Sequence, residues 1–315
     1  MTTLITGAAG FIGSRLAAKM LADNEPVLLL DNYDDYYDVA IKKARIKAFG
    51  PEVPFVEADI RDYDALARLF EEYDIKRVAN IAAMANVRYS VGRARKYLAV
   101  NTEGPVNLMD LSVKHDVEVF VQASTSSVYG QAERVPFREE DAASEPLAPY
   151  PASKRAAELF GHSFNNLYGL NVTVLRFFNV YGPEGRPDMM PLRALDMILD
   201  GTPIKLWNGG DIKRDWTYID DTVQGVQTAL ERPLGYQLIN LGFGSPLPFI
   251  DFINIYEELV GKEANTTIEP APPTEPLVTY CDNTLARELL DFDPQTPIQD
   301  GLARTWAWYR QAKNL

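Results

Sequence analysis

The chain has 315 residues, 46% of them hydrophobic, so it is long enough to bury a full core and too apolar to be disordered. Its net charge of −13 argues against nucleic-acid binding, which needs a basic face, and its single cysteine, Cys281, excludes an internal disulfide framework. With only two well-separated histidines besides, no metal site is expected.

The first strand is predicted at Thr2–Thr6, which leaves no room for a signal peptide. No apolar run approaches the ~18 to 20 residues that span a bilayer, so a cytoplasmic protein with no membrane partner is expected. A glycine-rich turn follows the strand, and Ser14–Ala22 then has helical spacing with Leu16, Met20 and Leu21 on its apolar side. Further strands are predicted at Val27–Leu30, Val53–Ala58, Arg77–Ile81, Val119–Ala123 and Val172–Phe177, separated by helices at Tyr63–Tyr73, Val100–His115 and Pro151–Leu167. Alternation of this kind predicts an α/β fold built on a doubly wound parallel sheet of the Rossmann type. After Asn179 prolines punctuate the chain, helices are predicted at Leu192–Leu199, Thr222–Leu230, Phe249–Leu259 and Thr284–Leu290, and 271–276 reads as an extended loop. The expected organisation is a cofactor-binding domain over 1–178, rejoined by part of 211–245, and a smaller C-terminal α/β substrate domain over 179–315.

Gly7-x-x-Gly10-x-x-Gly13 lies between a strand and a helix, and Asp31 ends the next strand about 20 residues on. Glycine lets the backbone approach a pyrophosphate, and the helix amino terminus at Phe11 and Ile12 offers unpaired N–H groups. Asp31 can accept both hydroxyls of a ribose, whereas a 2′-phosphate would meet like charge, so NAD is favoured over NADP. Asp59-Ile60 ends the third strand, where a carboxylate and an amide could hold adenine. Ala82-Ala83 ends the fourth, and its small side chains would let the dinucleotide lie close.

Tyr150 and Lys154 are four apart at a helix start and share one face. A nearby ammonium, with the positive nicotinamide, favours the phenolate and suits Tyr150 for general-base work. The hydroxyl run Ser124-Thr125-Ser126-Ser127 follows an apolar strand and reaches the same sheet edge.

The chain resembles the extended short-chain dehydrogenase/reductase family, specifically its nucleotide-sugar 4-epimerases. The resemblance is carried by Thr6–Gly13, Asp31-Asn32, Asp59-Ile60, Val87-Arg-Tyr-Ser90, Ser124–Gly130, Tyr150-Pro-Ala-Ser-Lys154, Arg176–Pro183, Gly185-Arg-Pro-Asp188 and Arg214–Asp221. It implies that Tyr150 takes the proton of the sugar 4-hydroxyl with Thr125 bonded to the same oxygen. Hydride leaves C4 for a bound NAD, the 4-keto sugar turns over, and hydride returns to its other face. Lys154 would also hold the nicotinamide ribose. Asn32, Ser124 and Phe177 would meet the cofactor, and Asn101 would position the neighbouring helix and backbone. Arg214 would grip the diphosphate, Asn179 would face the phosphate or sugar, and the backbone near Leu206-Trp207 would meet the base. The resemblance also implies a homodimer paired through the helices at Val100–His115 and Pro151–Leu167, with Val106, Leu108, Met109, Ala156, Leu159 and Phe160 as spare apolar side chains.

Within that family, 4,6-dehydratases carry Asp-Glu after the threonine and uronate decarboxylases carry Ser-Glu, whereas this chain has Ser126-Ser127. Simple epimerisation needs no extra carboxylate. Asp34–Asp38, Val87–Ser90 and Gly185–Asp188 are most similar to UDP-glucuronate 4-epimerase, with Arg88 and Arg186 as sugar or carboxylate contacts. Asn179, Val278 and Asn80 depart from that branch, which has threonine, arginine and histidine there. UDP-glucose/UDP-galactose or N-acetylated sugars stand as the alternative substrates. A decarboxylase or dehydratase and a non-catalytic NAD sensor are the remaining alternatives.

Overall fold

The computed structural model describes residues 1–131, 134–272 and 276–315. Seven parallel strands form the main sheet: β1 Thr2–Thr6, β2 Val27–Asp31, β3 Phe55–Glu57, β4 Ile75–Asn80, β5 Val119–Thr125, β6 Asn171–Phe177 and β7 Tyr236–Leu241. Their order is β3-β2-β1-β4-β5-β6-β7, so the winding direction reverses between β1 and β4. Such a switch point opens a crevice beyond the carboxyl ends of the strands. The predicted fold class is the observed one. β7 enters from far down the chain and pairs with β6 from Tyr236↔Val172 to Leu241↔Phe177.

Side-chain alternation explains why the strand sequences read as continuous apolar runs. Ile5, Leu29 and Val121 point to one face, where they join the core of the C-terminal region through Leu192, Trp216, Phe252 and Tyr256. Leu4, Leu28, Leu30 and Phe120 point to the other, packed under helices α3 Tyr63–Glu72 and α4 Gly104–Lys114. Helix α1 is Phe11–Ala22 and α2 is Val39–Ala48, the latter not anticipated from periodicity. Helix α5 runs Pro149–Tyr168 and α6 Ile219–Glu231. The expected single helix over 100–115 is interrupted by a π-helical turn at Ala99–Glu103 before α4.

The remainder of the chain adds small paired strands, Ile204–Trp207 with Thr266–Glu269 and Lys213–Asp215 between Pro246–Pro248 and Val278–Thr279. Part of the 271–276 loop, residues 273–275, lies outside the described residues. Among the described residues no helix is long and apolar enough to cross a membrane.

Candidate active site

The crevice at the strand ends is a cleft of about 520 Å³. Its first half is made mostly of backbone. Gly7 has φ 67°, and a Cβ on it would lie 2.7 Å from the Ala82 nitrogen. The turns leaving β1 and β4 therefore meet at a distance only glycine allows. A Cβ on Gly13 would stand 2.2 Å from the Gly7 oxygen, because α1 starts directly on that turn. Gly10 caps α1 with no side-chain bond and the first turn carries no acid, so its N–H groups remain available to an anion. Gly7, Gly10, Phe11, Ile12 and Gly13 all line the cleft.

Asp31 lines it too, while its carboxylate accepts the Ala9 amide at 3.0 Å and the Tyr33 amide at 2.8 Å. Burial raises its pKa against those bonds and the charge of Lys42. Asn32 donates to Asp59 at 2.7 Å, and the Arg61 fork grips Asp59 at 2.9 and 2.7 Å. That grip, foremost, brings the Asp59 carboxyl down to about 2. Ile60, Ala82, Ala83, Ser124 and Phe177 complete the wall. Asn101 stands behind it, fully buried in the π-helical turn. It accepts the Met84 amide at 2.8 Å and donates to the Met84 carbonyl at 2.8 Å and to the Ser153 hydroxyl at 3.0 Å. It thus ties the segment leaving β4 to α5 without lining the cleft. The Ser124 hydroxyl also turns away, donating to Glu158 at 2.6 Å.

Tyr150 and Lys154 come from the first turns of α5, and Thr125 ends β5; all three line the cleft. Thr125 Oγ1 accepts the Ser127 amide at 3.2 Å and donates to Ser127 Oγ at 3.3 Å, which folds Ser126 and Ser127 into a short 3-10 turn on the rim. Burial raises the Tyr150 pKa, and a hydrogen bond to Thr125 and the charge of Arg186 draw it down. Arg186 is a further cation acting on the phenol, beside the ammonium and nicotinamide to which the sequence pointed. The Lys154 ammonium is itself buried with no hydrogen-bond partner, and burial brings its pKa down to about 8 against the pull of Glu158.

The second half of the cleft is made of side chains from distant segments. Arg186 donates to Asp188 through Nε at 2.9 Å and Nη2 at 2.7 Å, a forked pair. Tyr36 donates to Asp188 at 2.8 Å, and Asn86 donates to the Tyr36 hydroxyl at 2.8 Å. Burial pushes Asp188 up, but these donors outweigh it and hold its carboxyl below the usual range. Arg88 lines the cleft and lies over the Trp207 ring at 4.6 Å. Asn179 lines it at φ 29° with its amide donating to the Asp215 carbonyl at 3.2 Å. Leu206, Trp207 and Arg214 lie outside the cleft wall: Leu206 is a buried residue of the Ile204–Trp207 strand, and Arg214 donates to the Lys213 carbonyl at 2.8 Å.

The family described as the NAD dependent epimerase/dehydratase family matches residues 3–242. The chain belongs to this family. It is 40% identical over 311 residues to a UDP-glucuronate 4-epimerase of Thermodesulfobacterium geofontis, covering 98% of this chain and 96% of the relative. The UDP-glucuronic acid 4-epimerase of Bacillus cereus, solved with UDP-glucuronic acid and NAD, superposes with a TM-score of 0.91 at 32% identity over 99% of this chain and 100% of the other. The UDP-glucose 4-epimerase of Thermotoga maritima, solved with UDP-glucose, also gives 0.91, at 28% identity and the same coverage.

For a member of the epimerase/dehydratase family, the residues present fit NAD on their own geometry. A Cβ would fill the space at Gly7 and Gly13, the start of α1 can receive a pyrophosphate, and Lys154 holds an unspent buried cation. Sequence reasoning passed over Tyr36, Lys42, Asn86, Asp188 and Trp216, which also line the cleft. Tyr36 and Asp188 stood inside segments already singled out by resemblance. Lys42, on a helix that periodicity did not reveal, carried no such signal.

Proposed function

We propose that this chain interconverts UDP-glucuronate and UDP-galacturonate by NAD-dependent 4-epimerisation, and that it does so without loss of carbon dioxide. The observation that carries this reading is the meeting of Tyr36, Tyr89, Arg186 and Asp188 beside Tyr150, because it joins the three segments that resemble the glucuronate branch. Residues 1–178 with the returning β7 form the cofactor side and lend Tyr36, Asn86 and Arg88 to the sugar side, which most of 179–315 completes.

Tyr150 takes the proton of the 4-hydroxyl, with Thr125 bonded to the phenol and Arg186 favouring its ionised form. Bound NAD supplies the hydride acceptor and, on return, the donor. Gly7 to Gly13 and Asp31 hold the dinucleotide, and Lys154 holds its nicotinamide ribose. Ser126 and Ser127 hold the sugar carboxylate by neutral hydroxyls. A 4-keto uronate is a β-keto acid prone to lose carbon dioxide, and a site with no added acid there disfavours that loss. Arg88 serves the sugar end from the cleft wall, and Arg214 the diphosphate end from outside it.

Asn179 favours a second reading, the UDP-glucose/UDP-galactose pair, since asparagine replaces a hydroxyl that would meet the carboxylate. Assaying both pairs at equal concentration with product separation, alongside Arg186→Ala, decides between them. Faster turnover of the uronate pair, reduced in the variant, is expected. Faster turnover of the neutral pair with no effect of the variant would refute the uronate assignment.

We also read the enzyme as a cytoplasmic homodimer. Leu98, Leu159, Phe160 and Leu167 are exposed around α5 and support that pairing, whereas Leu108 and Met109 are fully buried in the chain's own core and do not contribute.

A further inference from the structure

We infer that Glu158 is a positioning residue for the reaction, fixing the Tyr150–Lys154 face of α5 against the ends of β5 and β6 and supplying the anion that keeps Lys154 charged. This rests on the reading that Tyr150 and Lys154 carry the chemistry. Tyr150, Lys154 and Glu158 fall on one face of α5 at successive spacings of four. The first two line the cleft, while Glu158 is fully buried behind it. Its carboxylate accepts four bonds: from the Ser124 hydroxyl at 2.6 Å, Arg176 Nε at 3.0 Å, Arg176 Nη2 at 2.7 Å and Arg155 Nη1 at 2.8 Å. Its backbone carbonyl accepts the Tyr236 hydroxyl at 3.1 Å. One residue therefore joins α5, β5, β6 and β7. Ser124 stands in the cleft wall before Thr125, and Arg176 immediately precedes Phe177, so one tie ends in the wall and the other one residue from it.

A buried ion pair is a weak source of stability, because well-packed apolar residues often serve as well. Its charge has a use here. The Lys154 ammonium has no hydrogen-bond partner, and burial disfavours its charged form. Its neighbours at four-residue spacing on α5 are Tyr150, which meets Tyr97 and the charge of Arg186, and Glu158, which holds Arg155 and Arg176. Glu158 is the buried anion one helical turn from Lys154 on the same face, and its charge opposes the loss of the Lys154 proton.

The test compares Glu158→Gln and Ser124→Ala with the unaltered enzyme across pH, reading kcat, KM and the NAD that remains bound after purification. Lys154 is protonated below its pKa, so activity that needs the ammonium is lost as pH rises through that value. Removing the anion should move the alkaline limb of kcat and of NAD retention to lower pH by on the order of one unit. It should also lower kcat at neutral pH by roughly tenfold, with KM little changed. Ser124→Ala keeps the charge and should lower kcat without moving the limb. Should Glu158→Gln fail to fold, the double variant Glu158→Gln/Arg176→Gln removes both charges of the pair and carries the same test. An alkaline limb and NAD retention unmoved in a folded variant would reduce Glu158 to a structural residue and overturn the inference. Full turnover by Tyr150→Phe would instead overturn the reading beneath it.

Discussion

The two halves of the cleft are built from different materials. On the cofactor side, Gly7–Gly13, Asp31, Asp59-Ile60 and Ala82-Ala83 each start at or within two residues of the carboxyl end of a strand of the main sheet, and their fit depends on backbone approach and helix-end amides. On the sugar side, Tyr36, Asn86, Arg186 and Asp188 come from three loops and are held by side-chain hydrogen bonds to one another. A site made of strand ends follows from the sheet itself, whereas a site made of side chains depends on which loops the sheet brings together. The first should tolerate no added atom, and the second should tolerate a change of atom at a graded cost.

The largest expected effect belongs to the group between the halves. Tyr150→Phe removes one hydroxyl and should lower turnover by ~10²- to 10⁴-fold while NAD stays bound. Near-normal turnover, or NAD lost together with activity, would break the division. Gly13→Ala tests the cofactor side: its Cβ would press on the Gly7 oxygen at 2.2 Å, forcing α1 off the turn. The cost should be about 1–3 kcal/mol of stability, with most of the bound NAD lost, read by thermal unfolding and cofactor content. Full NAD content in that variant would show that the turn does not need its glycine. Asp188→Asn sharpens the other side. It weakens the forked pair to Arg186 by about 1.5 kcal/mol, so KM for the nucleotide sugar should rise roughly tenfold with NAD content unchanged. Equal loss of cofactor and sugar binding would mean that the two halves act as one.

The same contrast governs what could be read in advance. Thr2–Thr6 and the strands starting near Val27, Val119 and Val172 stand where alternation and apolar runs put them, since a buried strand needs only its own residues to announce itself. The third strand is shorter than predicted, three residues from Phe55, directly after Pro54, which has no amide to give the ladder. Helix α2 escaped notice because Lys42, Lys43, Arg45 and Lys47 blur its apolar face; Lys42 and Arg45 are nonetheless buried against the cofactor side. The π-helical turn around Asn101 was invisible as well, since a single wide turn within a helix has no residue type that marks it in the sequence.

From its sequence alone this protein determined its sheet, its glycine turn, the acid that follows it and the Tyr150–Lys154 pair. All of these rest on short-range backbone rules with a fixed period or spacing. Only the tertiary structure decided that Arg186 adds its charge to the Tyr150 phenol, that the Ser124 hydroxyl turns to Glu158, and that Asp188 gathers Tyr36 and Asn86 from more than a hundred residues away. The physical reason is that a side chain takes as partner whatever the sheet order sets beside it, and no local period records a neighbour supplied by another loop.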